Sequence, residues 1–135
     1  MKTVFVTAGA LVDEHGDVLM TSRPAGKEFA GCWEFPGGKI EPGEDPETGL
    51  CRELKEELGI DVDAAACDPV TFVSYPYEKF HLVMLLYVCR RWTGTPIPRE
   101  HQTVRFVDPE KMADLRPLPP ADKDLIPRLR DYLTC

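Results

Sequence analysis

Three glutamates, Glu53, Glu56 and Glu57, fall three and four positions apart. On a helix that spacing puts all three carboxylates on one side. Like charges so placed cost an isolated helix about a few tenths of a kcal/mol per pair, so something must offset them or use them. A solvated acidic face is the ordinary use. The chemical use is a grip on a hard divalent cation, because Mg²⁺ binds through a few carboxylates together with substrate phosphates. The surroundings favour the second reading. Arg52 can pair with Glu56 one turn on, Glu44 lies just ahead, and Pro36-Gly37-Gly38 supplies a bare stretch of backbone immediately upstream, where a ligand can approach closely.

The helix that must carry these groups is well marked. Asp45 is a good N-cap, Pro46 suits the first helical position, and Glu47 suits the positive end of the helix dipole. Leu50, Leu54 and Leu58 make a narrow apolar stripe, and Gly59 fits a C-cap. Thr3–Val12 and Val18–Ser22 read as strands joined by a hairpin turn at Gly16, with His15 a solvated turn residue. The segment from Pro24 to Gly31 reads as loop, and Trp33-Glu34-Phe35 as a short extended piece ending at Pro36-Gly37-Gly38. Val70–Tyr77 and Phe80–Arg91 predict paired strands, the second central and apolar enough to be buried on both faces. Thr103–Val107 adds another strand. A proline-rich loop then leads to a last amphipathic helix, in which Pro127 predicts either a start near Asp124 or a kinked first turn. Together these elements predict an α/β fold, a mixed β-sheet sandwiched between α-helices, in a single domain over residues 1–135.

The net charge of −7 repels a polyphosphate or a nucleic-acid backbone unless positive charge is supplied locally. Nucleic acid is therefore not an expected partner, and an anionic substrate would need metal ions as intermediaries. The five cysteines, Cys32, Cys51, Cys67, Cys89 and Cys135, are odd in number with no CxxC pair or zinc-like spacing, which points to reduced thiols in a cytoplasmic protein. The N-terminal stretch has no apolar run fit for a signal peptide, and no segment reaches the ~18 apolar residues that span a membrane. No membrane partner is expected, and the chain is expected to act as a monomer or weak homodimer.

Gly38-Lys39-Ile40-Glu41-Pro42-Gly43-Glu44, followed after seven residues by Arg52-Glu53-Leu54-Lys55-Glu56-Glu57-Leu58-Gly59-Ile60, resembles a complete Nudix box over residues 38–60. From average residue usage, a chance match in a chain this size is below about one in a million. Trp33 to Glu41 is similar to the stretch typical of MutT-type members, and Arg23, Glu100-His101-Gln102 and Leu118 to Asp122 fall where that branch has functional segments. The resemblance implies a Nudix fold and a pyrophosphohydrolase that uses Mg²⁺ or Mn²⁺ to cut nucleoside triphosphates into a monophosphate and pyrophosphate. It also implies roles. Glu53, Glu56 and Glu57 would be metal ligands or, for Glu53, the group that orients and deprotonates water, with the carbonyl of Gly37 or Gly38 and the carboxylate of Glu100 completing the set, general base being the second option for Glu100. Arg52 would orient the glutamates, with Glu44 behind it. Arg23, Glu34, Phe35, Pro36, Gly37, Lys39 and Asp122 would contact substrate, Arg23 and Lys39 at its phosphates.

Asp122 stands where many MutT-like enzymes place a base-reading Asn. An ionised Asp only accepts hydrogen bonds, unless an apolar pocket raises its pKa; an N-cap for the last helix is its alternative use. Val4, Val6, Phe80 and Met84 could line a base pocket, core packing being the commoner use of such residues. His81 and His101 read as structural or solvated. The expected activity is sanitation of oxidised nucleotides such as 8-oxo-dGTP. A pyrimidine triphosphate pyrophosphohydrolase acting on CTP or 5-substituted relatives is the neighbouring possibility, and a nucleotide-sensing Nudix module without catalysis is the one from another class.

Overall fold

Asp45 starts the acidic helix as its sequence requires: its side chain accepts the Thr48 N–H at 2.8 Å, and helix α1 runs Pro46–Leu58. Gly59 ends it in the left-handed region at φ 72°, giving its N–H to the Lys55 carbonyl. Leu50, Leu54 and Leu58 are fully buried. The computed structural model describes residues 1–26 and 30–134, so part of the expected 24–31 loop, and Cys135, lie outside the described residues.

The strands are β1 (Lys2–Leu11), β2 (Val18–Ser22), β3 (Trp33–Glu34), β4 (Gly37–Lys39), β5 (Cys67–Pro76), β6 (Phe80–Cys89) and β7 (Thr103–Val107). They form a mixed four-stranded sheet in the order β4-β1-β6-β5 and an antiparallel three-stranded sheet in the order β3-β2-β7. In the larger sheet β1 runs parallel to β6, Val6 beside Met84, and antiparallel to β4, Thr7 beside Gly38. Alternation then sorts the side chains by face. Leu11, Tyr87 and Cys89 pack with the leucines of α1, while Ala8, Ala10, Leu82, Leu86 and Val88 pack with Leu125, Ile126 and Leu129 of the last helix, α2 (Pro120–Thr134). The sheet is thus held between two helices, as expected.

The turn at residues 13–17 forms with Gly16 at φ 80°, but β1 and β2 are not a simple hairpin. After a single Val12–Val18 bridge they part into different sheets, because β1 takes β6 and β4 as its partners and β2 takes β3 and β7. The glycine segment, read from sequence as the end of an extended piece, contributes a strand of its own, β4. The second half of β6 is buried as expected, Leu86 to Cys89, whereas Phe80 and Met84 are only partly so: they pack at the edge of the core and also border a cavity.

The last helix departs from both readings of Pro127. It begins at Pro120 and carries Pro127 inside. The proline has no N–H to give to the carbonyl four residues back, that of Lys123. Both residues lie on the exposed side of the helix, away from the packed core.

Thr7 is fully buried, and its hydroxyl finds no hydrogen-bond partner among the described residues. A buried unsatisfied hydroxyl costs about 1–3 kcal/mol. Thr7→Val, close in shape, is therefore expected to stabilise the fold by about 1 kcal/mol, seen as a rise of about 2–6 °C in unfolding midpoint; a fall would reveal a hydrogen bond made by Thr7. No helix among the described residues is long and apolar enough to cross a membrane.

Candidate active site

The carboxylates of α1 meet the glycine segment at van der Waals range. A Cβ added to Gly38 would stand 2.5 Å from the Glu53 carboxyl carbon, and one added to Gly37, whose φ is 154°, would stand 2.0 Å from the Thr7 carbonyl oxygen. Only glycine lets β4 lie so close to β1 and to the helix. The Gly37 N–H points at Glu57, donating to its Oε2 at 3.0 Å.

Arg52 organises the rest. Its Nε and a terminal nitrogen clasp the Glu44 carboxylate at 2.8 and 3.0 Å, a bidentate fork. Its other nitrogen donates to Glu53 at 2.9 Å and, more weakly, to Glu56 at 3.4 Å, and a further bond reaches the Lys39 carbonyl at 3.1 Å. This grip holds Glu44 down to about 2, chiefly through the Arg52 hydrogen bond.

One arginine cannot neutralise the cluster. Burial raises the Glu53 pKa against the lowering effect of Arg52, with Glu56 and Glu100 adding repulsion. Burial pushes Glu57 up to about 8, and Glu53, Glu100 and Glu34 add to that against the Gly37 hydrogen bond. Such crowding of oxygen donors, with negative charge left over, suits a hard divalent cation. Among the described residues no three acidic, His or Cys side chains converge into a ready-made cage. Mg²⁺ does not demand one, since it usually keeps waters and takes substrate phosphates as ligands.

Beside the carboxylates opens a cavity of about 480 Å³, lined by Val4, Val6, Phe80, Leu82 and Met84 on its apolar side and by Arg23, Glu34, Lys39 and Asp122 among its polar groups. The strand alternation explains the apolar wall: even-numbered residues of β1 face away from α1. Asp122 is buried beside it and is not an N-cap, because α2 starts two residues earlier. Its Oδ1 accepts the Phe35 N–H at 3.3 Å. Burial, reinforced by Glu34, pushes its pKa up to about 8, so at neutral pH it is mainly a carboxylic acid with one donor and one acceptor.

The structure gathers most of the expected residues. Arg23 is bound through Nε to both Glu34 oxygens, at 2.9 and 3.0 Å. Glu34, Gly37 and Arg23 border both the large cavity and a smaller one of about 150 Å³ that also holds Glu57, Glu100 and Gln102. Glu100, remote in sequence, thereby comes to the end of α1. Four residues stand off the cavity walls. Pro36 is not among the cavity-lining residues and its carbonyl accepts the Gly9 N–H at 2.9 Å. Arg52, Glu53 and Glu56 are likewise not on the cavity walls, although the Glu53 carboxyl lies against Gly38, which is. Lys2 and Tyr77 line the cavity without having been expected there. The alternation of β1 could have found Lys2. The run Tyr75, Tyr77 and Phe80, whose rings pack at 4.8 and 5.1 Å between centroids, was the signal for Tyr77. His81 meets the Ser74 hydroxyl and His101 is exposed, neither of them on the cavity walls. Cys32, Cys51, Cys67 and Cys89 are free thiols.

Residues 2–129 match the NUDIX domain family. The chain is 36% identical over 135 residues to a protein named 8-oxo-dGTP diphosphatase from Haemophilus influenzae, covering 95% of this chain and 92% of that one. It is 36% identical over 128 residues to one named CTP pyrophosphohydrolase from Escherichia coli, covering 93% and 90%. The solution structure of the Escherichia coli ORF135 protein superposes with a TM-score of 0.84 at 32% identity, covering 98% of this chain and 91% of that one.

Proposed function

The chain belongs to the NUDIX domain family, and from that premise we propose that it is a divalent-cation-dependent pyrophosphohydrolase that converts nucleoside triphosphates to the monophosphate and pyrophosphate, with oxidised deoxynucleotides such as 8-oxo-dGTP as its substrates. The observation that carries this reading is the adjacency of two different devices. An over-charged carboxylate cluster on α1 borders an apolar cavity that has a neutral acid, Asp122, at its side. One end suits a cation-bound polyphosphate and the other a base.

Glu53, Glu56, Glu57 and Glu100 are the side chains that would hold Mg²⁺ or Mn²⁺, with the Gly37 or Gly38 carbonyl alongside. When bound, the cation supplies neutralisation of the polyphosphate and acidification of a water. Arg52 holds Glu53 in place and, more weakly, the half-exposed Glu56. Glu53 orients the attacking water and takes its proton. Arg23 and Lys39 face the phosphates as cationic partners. Water adds to the β-phosphorus, the bond from that phosphorus to the bridging oxygen breaks, and the monophosphate leaves with that oxygen.

The base preference follows from donor and acceptor patterns. Guanine presents two acceptors, O6 and N7. Oxidation at C8 puts a proton on N7, so the edge becomes acceptor plus donor, which a neutral Asp122 matches. Cytosine offers an amine beside an acceptor nitrogen and fits the same acid. Together with the similarity to a CTP pyrophosphohydrolase, that supports pyrimidine triphosphates as a second reading. The odd cysteine count supports a cytoplasmic setting.

The deciding experiment is hydrolysis of 8-oxo-dGTP, dGTP, CTP and 5-substituted pyrimidine triphosphates with Mg²⁺ in ¹⁸O-water. Preference for 8-oxo-dGTP, with label in the pyrophosphate, is the expected result. Label in the monophosphate would move the attack to the α-phosphorus. A preference for CTP would establish the second reading, and the absence of any hydrolysis would leave only a nucleotide-sensing module.

A further inference from the structure

The loop that delivers Glu100 is tied to α1 through one side chain. Gln102 donates from Nε2 to the backbone carbonyl of Glu57 at 3.0 Å, and its Oε1 accepts the Glu100 N–H at 2.7 Å. The same Glu57 carbonyl takes the Arg99 N–H at 2.9 Å, and the Leu58 carbonyl takes the Ile97 N–H at 3.0 Å. The last carbonyls of a helix have no partner within it, so the 97–102 loop satisfies them. Between Glu100 and Gln102, His101 sits in the left-handed region at φ 63°, which is uncommon for a residue other than glycine and persists only where the surroundings fix it.

Because of these links, the residue whose carboxylate enters the site, Glu57, is also the residue whose backbone anchors the Glu100 loop. A rigid amide bridges the two with one donor and one acceptor, and only a carboxamide of this length offers both in that arrangement. Gln102 also borders the small cavity shared by Glu57, Glu100 and Arg23. Ordinary loop packing needs no such bridge, since Arg99 and Ile97 already cap the helix.

We propose that Gln102 is a positioning residue that fixes the Glu100 carboxylate relative to Glu57, and so sets how well the chain completes its cation site. The inference rests on Glu100 serving that site. Groups that orient ligands from behind cost on the order of tenfold to a hundredfold in metal affinity or activity when removed.

The test is a double-mutant cycle on the full chain, with kcat, KM and the Mg²⁺ half-saturation concentration measured for Gln102→Met, Glu100→Gln and the pair. Gln102→Met keeps the length and removes both hydrogen bonds. It is expected to lower kcat about tenfold, raise the Mg²⁺ requirement, leave KM within about twofold, and have almost no further effect once Glu100 is Gln. A structural role would not produce that silence in the second background. Equal losses in both backgrounds, or wild-type kinetics for Gln102→Met beside an impaired Glu100→Gln, would overturn the inference alone. Wild-type kinetics for Glu100→Gln would overturn the role of Glu100 and the inference with it. Thermal unfolding accompanies each variant; should Gln102→Met fail to fold, Gln102→Asn, too short to span both partners, reads the same cycle.

Discussion

Glu53→Gln and Glu57→Gln are each expected to lower turnover at least about a hundredfold while the fold survives, the scale on which positioned acid–base groups act. Both changes keep the volume of the side chain and remove its charge. Glu53 lies flush against Gly38 and is held by Arg52, so its amide would still fit. The Glu57 amide could still accept the Gly37 N–H through its oxygen. Glu53→Gln relieves repulsion within a cluster whose burial already raises the pKa of both carboxyls, and Glu57→Gln, replacing a carboxyl pushed up to about 8, changes little in the charge of the cation-free protein at neutral pH. Without cation, the unfolding midpoint should therefore stay level or rise. Excess chelator should bring the wild type to the same floor. Steady-state rates with Mg²⁺, paired with thermal unfolding, check all of this. Near-wild-type rates in both variants, or full activity in chelator, would remove the carboxylate cluster from the chemistry.

Asp122→Leu is expected to compress the preference between 8-oxo-dGTP and dGTP by roughly thirtyfold, about the 2 kcal/mol lost when a buried polar partner is left unsatisfied. Asp122→Asn should keep the preference at neutral pH, because an amide offers the same donor and acceptor as a carboxylic acid. The two differ in their response to pH. In the folded protein Asp122 titrates near 8, against an ordinary value of 3.8. Between those values the folded chain holds a proton that the unfolded chain has released. The pH-dependent part of stability is therefore fully present below about 4, declines as pH rises, and is gone once pH passes about 8. Over the last part of that range the donor to O6 is lost as well. The wild type should lose both stability and base discrimination between pH 7 and 9, and Asp122→Asn should lose neither through this residue. Unfolding midpoints and the ratio of kcat/KM values at both pH values decide it. An Asp122→Asn variant that tracks the wild type would show that this carboxyl does not control either property.

The acidic helix, its cap at Asp45, its stop at Gly59 and the Arg52–Glu56 contact were all legible in the order of residues, because each depends on neighbours within about a turn. So was the motif over 38–60, and with it the family. The partners of β1 were not. A turn at Gly16 announces that the chain reverses, but which strands pair is settled by burial on both faces of the sheet, a contest among segments distant in sequence. The same holds for Pro127, which α2 carries in its interior on the side turned away from the core. Asp122 shows the division most clearly. Its position was visible in the sequence, yet whether it is a cap, an anion or a neutral acid depends on burial and the nearby charge of Glu34, which raise its pKa, against the Phe35 N–H, which lowers it. Short-range geometry follows from residue type. Protonation and strand pairing follow from what the folded chain excludes from water, and only the tertiary structure decides that.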